Sequence, residues 1–263
     1  PGFAVAALGV AGATVVNAAL PSVSRLVVAL VIGALLGNFG FVPQTTRPGL
    51  QFAAKRLMRV GVVLLGLRLS VSQITDLGPT TLLVIVFTVF ATFFGTQAIG
   101  RQMGLSRGFC LLVGTGFGIC GLSAIAAVED ASGASDDEIA TAMGLVTLFG
   151  TMAIFAIPYA GGLFGLTDVE LGTWIGAGVH DTAQVVAAAS TGGAAVLTTA
   201  ITVKLTRVLL LAPIVAGVNV ARSRSAANSG LTTKRPSPIP LFIAGFMACV
   251  LIRTLDVLPN STL

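Results

Sequence analysis

Val113-Gly114-Thr115-Gly116-Phe117-Gly118-Ile119-Cys120-Gly121-Leu122-Ser123-Ala124 sets four glycines (114, 116, 118 and 121) within eight residues of an apolar run. Each glycine inside a helix costs about 1 kcal/mol against alanine. The stretch therefore predicts a helix that breaks in the middle of a membrane span, with a second half starting near Ser123. Unwound backbone at that depth is tolerated only where it lines a cavity or is buried in protein. A half-helix starting there aims free N–H groups and a positive dipole end into the bilayer, an arrangement that suits an anion. The competing reading is that the glycines let helices pack closely, as in seams of small residues. Gly116, Gly118 and Gly121 also match GxGxxG. A dinucleotide fold needs a soluble βαβ unit around that motif, and apolar spans flank it here.

The composition around this stretch belongs to a membrane protein. Of 263 residues, 10% are charged and 55% hydrophobic, with 32 glycines and a mean hydropathy of +0.97. Soluble domains carry about 25% charged residues, so this chain cannot cover a water-facing surface. The formal net charge is +5. Its basic residues gather at the ends of apolar runs, which points to orientation in a membrane and not to nucleic acid. Cys110, Cys120 and Cys249 lie in apolar stretches and suggest no disulfide framework. Neither a metal site nor a cofactor motif is expected, and no GxxxxGK[ST] signature points to a nucleotide-driven pump. The chain opens at Pro1 and stops at Leu263 just after an apolar segment, and it reads as a piece of a longer protein.

About 20 apolar residues cross a bilayer core as a helix. That ruler gives nine candidate spans in one transmembrane domain over 1–263: 3–20, 22–40, 52–74, 79–99, 107–129, 138–160, 171–190, 194–221 and 240–258. The stretch 222–239 is the one hydrophilic loop expected, on the cytoplasmic side. Arg47, Lys55, Arg56 and Arg59 follow span two, Arg101 and Arg107 follow span four, and Arg222, Arg224, Lys234 and Arg235 follow span eight. The junction after span five is acidic, with Glu129, Asp130, Asp136, Asp137 and Glu138. The positive-inside rule then puts the even junctions in the cytoplasm. The junction after span six fits poorly, because it holds Asp168 and Glu170 and no Lys or Arg.

Weak self-similarity suggests an inverted repeat. Lys204-Leu205-Thr206-Arg207-Val208 echoes Arg56-Leu57-Met58-Arg59-Val60. Gly176-Ala177 leading to Asp181 likewise echoes Gly33-Ala34 leading to Asn38. Repeat one is expected over roughly 22–160, and an incomplete repeat two over roughly 171–258.

Two further groups interrupt the apolar runs. His180, Asp181 and Gln184 fall within one span, and ionisable groups at such depth mark a pathway, relay or partner. A hydrogen-bonded or interfacial His-Asp pair is the bland alternative. Lys204 and Arg207 lie three positions apart on one helix face, well inside a long apolar run. They need a carboxylate (Asp181 or Glu129), an anionic substrate, or a route by which their heads snorkel to the interface.

Three blocks together resemble the YeiH-like family, whose members are described as sulfate exporters. They are KRLMRVGVVLLGLRLS (55–70), GFGICGLSAIAAVED (116–130) with TLFG (147–150), and GAGVHDTAQVVAAA (176–189) with VKLTRVLLLAP (203–213). The resemblance covers about 33–221 and implies a carrier of the bacterial inner membrane, related to cation/proton antiporters and anion transporters. It implies two inverted repeats, each with a crossed broken helix, the second of which is expected beyond Leu263. The expected function is ion-coupled export of a small anion, sulfate or a sulfonate. Gly116, Gly118, Cys120, Gly121, Ser123, Lys204 and Arg207 are expected to bind substrate. His180, Asp181, Gln184 and Glu129 are expected to carry coupling by H⁺ or Na⁺. Partners are the small anion, the coupling ion and the lipid bilayer, with no nucleic acid, and a homodimer as in related carriers. A cation/proton antiporter using Asp181 is the alternative. A remoter one is an intramembrane serine hydrolase using Ser123 and His180. Gly121-Leu122-Ser123-Ala124 departs from the GxSG pattern of such hydrolases, so no enzyme is expected.

Overall fold

A computed structural model describes residues 2–19, 25–38, 43–228 and 241–255. Lipid leaves unpaired backbone no water to bond, so a chain this apolar folds into helices. In chain order they are α1 Gly2–Ala19, α2 Arg25–Asn38, α3 Arg47–Phe52, α4 Met58–Leu65, α5 Val71–Asp76, α6 Gly78–Gln102, α7 Arg107–Gly118, α8 Leu122–Ser132, α9 Asp136–Leu163, α10 Asp168–Gly178, α11 Thr182–Ala189, α12 Ala194–Leu209, α13 Leu211–Asn228 and α14 Leu241–Thr254. No strand occurs among the described residues. Four helical stretches there are long and apolar enough to cross a bilayer: Gly2–Ala19, Gly78–Gln102, Asp136–Leu163 and Ala194–Ser223, the last running through α12 into α13. The protein is an all-α, multi-pass membrane protein.

Two of the expected spans do not cross. Residues 107–129 form a hairpin, α7 going in and α8 coming back. A Cβ on Gly108, at the start of α7, would lie 2.9 Å from the Ser132 carbonyl oxygen and 3.0 Å from the Ala134 nitrogen, at the far end of α8. The Ser106 hydroxyl donates to Glu138, which closes the base of the hairpin. Residues 171–190 fold back in the same way. Along α10, Gly172 faces Val196 and Thr199, and Gly176 faces Ala200 and Val203. Contacts that advance together mean that α10 and α12 run parallel, so α11 between them returns toward its starting side. Ala187, Ala188 and Ala189 of α11 bury with Ile154, Ile175 and Val196 in one apolar cluster.

Local sequence explains where each limb begins. Ser106 caps α7 by accepting the Phe109 N–H at 3.1 Å. Ser135 with Glu138, Thr167 with Glu170 and Asp181 with Gln184 form capping boxes at α9, α10 and α11. The interruption of the first hairpin is Ile119–Gly121, where Gly121 has φ +68°, a conformation that favours a residue without Cβ.

This topology corrects the orientation read from charge. Arg101, Arg107 and Arg222 share one end of the bundle with Ser132, and Arg222 donates to the Asp130 carbonyl. The acidic junction at 129–138 is therefore on the basic end, because the hairpin turns back instead of crossing. The 28 residues of α9 span about 42 Å at 1.5 Å per residue, carrying the chain to the opposite end. Asp168 and Glu170 lie there, away from the basic end, and the misfit of that junction disappears. The expected loop at 222–239 is helical as far as Asn228, and 229–239 falls outside the described residues.

Impermeant maleimide labelling tests this arrangement in a background with the native cysteines replaced by alanine. Cysteines at Gln102 and Asp136 should react from one side of the membrane, and cysteines at Val169 and Thr191 from the other. Opposite labelling of 102 and 136 would restore a crossing span.

Candidate functional site

The two hairpin tips, Ile119–Gly121 and Val179–Asp181, meet in the interior. A Cβ on Gly121 would sit 3.6 Å from both the Asp181 Cβ and its backbone nitrogen. Two helices end here and two begin. An α-helix leaves its last four carbonyls without intrahelical partners, and here the chain answers three of the eight. The Thr115 and Gly116 carbonyls of α7 accept from Ile119 and Gly121, and the Ile175 carbonyl of α10 accepts from Val179. Four more, with the tip carbonyls of Ile119 and Val179, meet two cations from α12.

Arg207 forks between the helix ends. Its Nη1 donates to Gly176 (3.2 Å) and Ala177 of α10, and its Nη2 to Phe117 (3.2 Å) and Gly118 (2.5 Å) of α7. Lys204 Nζ donates to the Ile119 carbonyl at 2.6 Å and the Val179 carbonyl at 2.8 Å, one from each tip. Lys204 is 0% and Arg207 1% exposed, which rules out snorkelling. Each helix C-terminus carries roughly half a negative charge, so both cations sit in a field that favours them. Asp181 and Cys120 are the other charged or ionisable groups that act on Lys204.

The opposite signs converge at the same place. α8 starts at Leu122 with no side-chain cap, and buried Ser123 is in its first turn. α11 starts at Thr182, and its N-terminus is capped by Asp181, which accepts the Ala183 N–H at 2.8 Å. Gln184 accepts the Asp181 N–H at 3.2 Å and donates to the Thr147 carbonyl and Thr151 hydroxyl of α9, each at 3.4 Å. Gly150 makes room for it, since a Cβ there would collide with the Gln184 amide. The His180 ring packs tilted, at 59°, against Phe117 with centroids 4.4 Å apart, and its Nδ1 has no partner among the described residues.

Nearly all the residues singled out from the sequence thus come together: Gly116, Gly118, Cys120, Gly121, Ser123, His180, Asp181, Gln184, Lys204 and Arg207. Glu129 does not. It lies eight positions beyond Gly121 along α8, about 12 Å at helical rise, toward the base of the hairpin. The glycines serve both readings weighed above. Gly121 makes the tip, while a Cβ on Gly114 or Gly116 would come within 2.9 Å of the Phe93 carbonyl or 2.8 Å of Val146. The second break was missed, although Asp181-Thr182-Ala183-Gln184 is a helix-start signature in mid-span. Thr147, Gly150 and Thr151 were missed as partners of Gln184, for the block TLFG (147–150) marks a resemblance without saying what it touches.

Comparison with known proteins places this architecture. The family model described as "Conserved hypothetical protein 698" matches residues 2–263. The chain is 41% identical over 263 residues to a UPF0324 membrane protein of Corynebacterium glutamicum, covering all of this chain and 76% of that one. It is 38% identical over 244 residues to a UPF0324 membrane protein of Bordetella bronchiseptica (90% and 76% covered). One from Pseudomonas putida is 37% identical over 256 residues (93% and 72%). No solved structure matches.

Removing a donor from this centre strands buried carbonyls at about 1–3 kcal/mol each. Arg207→Lys keeps a charge but cannot fork between two helix ends, so it should lower stability by at least about 2 kcal/mol. Gly150→Ala should cost about 1–3 kcal/mol by overpacking against Gln184. Thermal unfolding in one detergent checks both, and an Arg207→Lys protein melting with the wild type would reject the fork.

Proposed function

This chain belongs to the conserved hypothetical protein 698 family, whose relatives are UPF0324 membrane proteins, and from that premise we propose that it is a secondary transporter exporting a small anion. The substrate is of the sulfate or sulfonate class, it crosses the bacterial inner membrane, and its movement is coupled to H⁺ or Na⁺. The observation that carries the reading is the meeting of four helix ends around two buried cations. Lys204 and Arg207 contribute +2, and the two C-termini they cap about −1. The N-termini of α8 and α11 add about +1, and an ionised Asp181 takes 1 away. The sum, about +1, favours a small anion beside the uncapped start of α8.

Residues take roles from that geometry. The Leu122 and Ser123 N–H groups and the Ser123 hydroxyl receive the substrate oxygens, against a wall formed by Gly116, Gly118, Cys120 and Gly121. Lys204 and Arg207 supply the field from behind, with Nζ, Nη1 and Nη2 committed to backbone carbonyls. Asp181, the carboxylate at the tips, carries the coupling ion, with His180 and Gln184 beside it. Glu129 acts on the route to the basic end.

The inverted repeat belongs to the same proposal. Gly116-x-Gly118-Ile119 and Gly176-x-Gly178-Val179 stand sixty positions apart, each ending the inbound limb of a hairpin. One hairpin enters from the basic end and the other from the opposite end. α6 with α7–α8 and α9 with α10–α11 then form the two inverted units, in place of the longer repeats suggested by the short matches at 33–38 and 56–60. Hinged half-helices of this kind are the usual site of alternating access.

Asp181 also supports the alternative, a cation/proton antiporter, because a carboxylate at the crossing is what such a carrier needs. Among the described residues no hydrogen bond joins Ser123 to His180, so the hydrolase reading gains no support.

Proteoliposome flux separates the readings. With the full-length protein, labelled sulfate or sulfite should move in response to a proton or sodium gradient. Ser123→Ala should reduce uptake, and Asp181→Asn should abolish the dependence on the gradient. Cation exchange that is unaffected by any anion would favour the antiporter. A thermal-shift screen against sulfate, sulfite, thiosulfate, taurine and bicarbonate ranks substrates, since a ligand stabilises the state it binds.

A further inference from the structure

A second site lies at the basic end of the bundle, away from the hairpin tips. Between α6, α7 and α13 is a cavity of about 640 Å³. Its wall is aromatic and aliphatic, with Phe90, Phe93, Phe94 and Leu111 among the lining residues, and its rim holds Arg101, Arg107 and Arg222. Arg107 begins α7, eleven residues before the tip-proximal Gly118, so the rim is about 16 Å from the centre described above.

One face of α6 continues this cavity. Leu83, Phe87, Phe90, Phe94, Gln97 and Arg101 are spaced alternately four and three apart, which aligns them along a single stripe. Leu83 is 70%, Phe87 72% and Phe94 59% exposed in the isolated chain. From Phe87 to Arg101 the stripe runs about 21 Å along the helix axis. An apolar track of that length ending under three cations has the form of an acyl chain beneath a phosphate headgroup. Basic pockets between membrane helices are known binders of anionic headgroups.

The arginines are placed for this. Arg101 Nε donates to the Gln97 carbonyl at 2.9 Å, and Arg222 Nη1 to the Asp130 carbonyl. Each contact fixes one nitrogen and leaves the rest of the guanidinium for an anion, which suits bidentate phosphate recognition. The nearby carboxylates of Asp137 and Glu138 line a separate, smaller cavity with Ser106 and Phe109. They do not line the arginine-rimmed one. A hydrated inorganic anion would gain nothing from the phenylalanine wall, whereas a lipid uses both parts.

We propose that this cavity is a binding site for an anionic phospholipid of the adjoining leaflet, with its headgroup phosphate on Arg101, Arg107 and Arg222 and an acyl chain along Phe94, Phe90 and Phe87. The occupant also bridges three elements: α6, the base of the α7–α8 hairpin, and α13. Its binding would thereby stabilise the inner hairpin against the crossing helices.

The test is thermal unfolding and native mass spectrometry of the purified full-length protein with phosphatidylglycerol, phosphatidylcholine or inorganic phosphate added. Phosphatidylglycerol should raise the melting temperature and survive as an adduct, and the other two should do neither. Each arginine near the surface is worth about a fivefold change in affinity. Arg107→Gln should therefore weaken binding about fivefold and the triple Arg101→Gln, Arg107→Gln, Arg222→Gln variant about a hundredfold. Arg107→Lys, which keeps the charge but not the fork, should retain more of the effect than Arg107→Gln, and Arg56→Gln, a control away from the cavity, should retain all of it. Should the triple variant fail to fold, the Arg107→Gln and Arg107→Lys pair decides the matter. Equal stabilisation by phosphatidylcholine, an unchanged response in Arg107→Gln, or the same shift from inorganic phosphate alone would overturn the proposal.

Discussion

Backbone carbonyls that end a helix inside a membrane have no water to bond, and the architecture of this protein follows from how it meets that constraint. Two half-helices, α7 and α10, stop in the interior. Their exposed C-terminal carbonyls converge on Lys204 and Arg207 of one crossing helix, α12. Buried cations are costly unless paired and hydrogen-bonded. Buried carbonyls are likewise costly without donors. Each group removes the other's penalty, so the cations and the breaks depend on one another.

That dependence fixes the topology. A helix that ends at mid-depth must turn back or continue, and here both inbound limbs turn back. The hairpins enter from opposite ends, and α12 runs past both tips and makes the bonds that hold them. Gln184 adds a tie from the second tip to α9 through Thr147 and Thr151. The centre is thus framed by α9 and α12, which cross, and by four half-helices, which do not.

The same geometry divides electrostatic labour. Helix C-termini draw the cations, while Asp181 caps the N-terminus of α11 and the N-terminus of α8 has no side-chain cap. Lys204 and Arg207, expected from sequence to bind substrate, direct Nζ, Nη1 and Nη2 at backbone carbonyls, and the Arg207 Nε has no partner among the described residues. Across the tip from them, the buried α8 N-terminus has no side-chain cap. Asp181 spends one carboxylate oxygen on the Ala183 N–H and remains the acidic partner of the cations' field.

The sequence by itself determined the membrane class, from low charge and long apolar runs, and it located most of the polar centre. Intramembrane Gly116–Ser123, His180–Gln184 and Lys204–Arg207 stand out because each is expensive in lipid and must be explained. Family membership was also legible, in the blocks at 55–70, 116–130 and 176–213. What the tertiary structure alone decided is direction: whether 107–129 and 171–190 cross or return. Hydropathy measures the length of an apolar run and is blind to a reversal inside it, so counting two hairpins as spans puts two junctions, 129–138 and 164–170, on the wrong sides. Partnership was equally hidden. A lysine and an arginine one helical turn apart announce a need for acceptors. Only the packing of α12 against two distant chain breaks reveals that those acceptors are carbonyl oxygens, which every residue has and no sequence pattern marks.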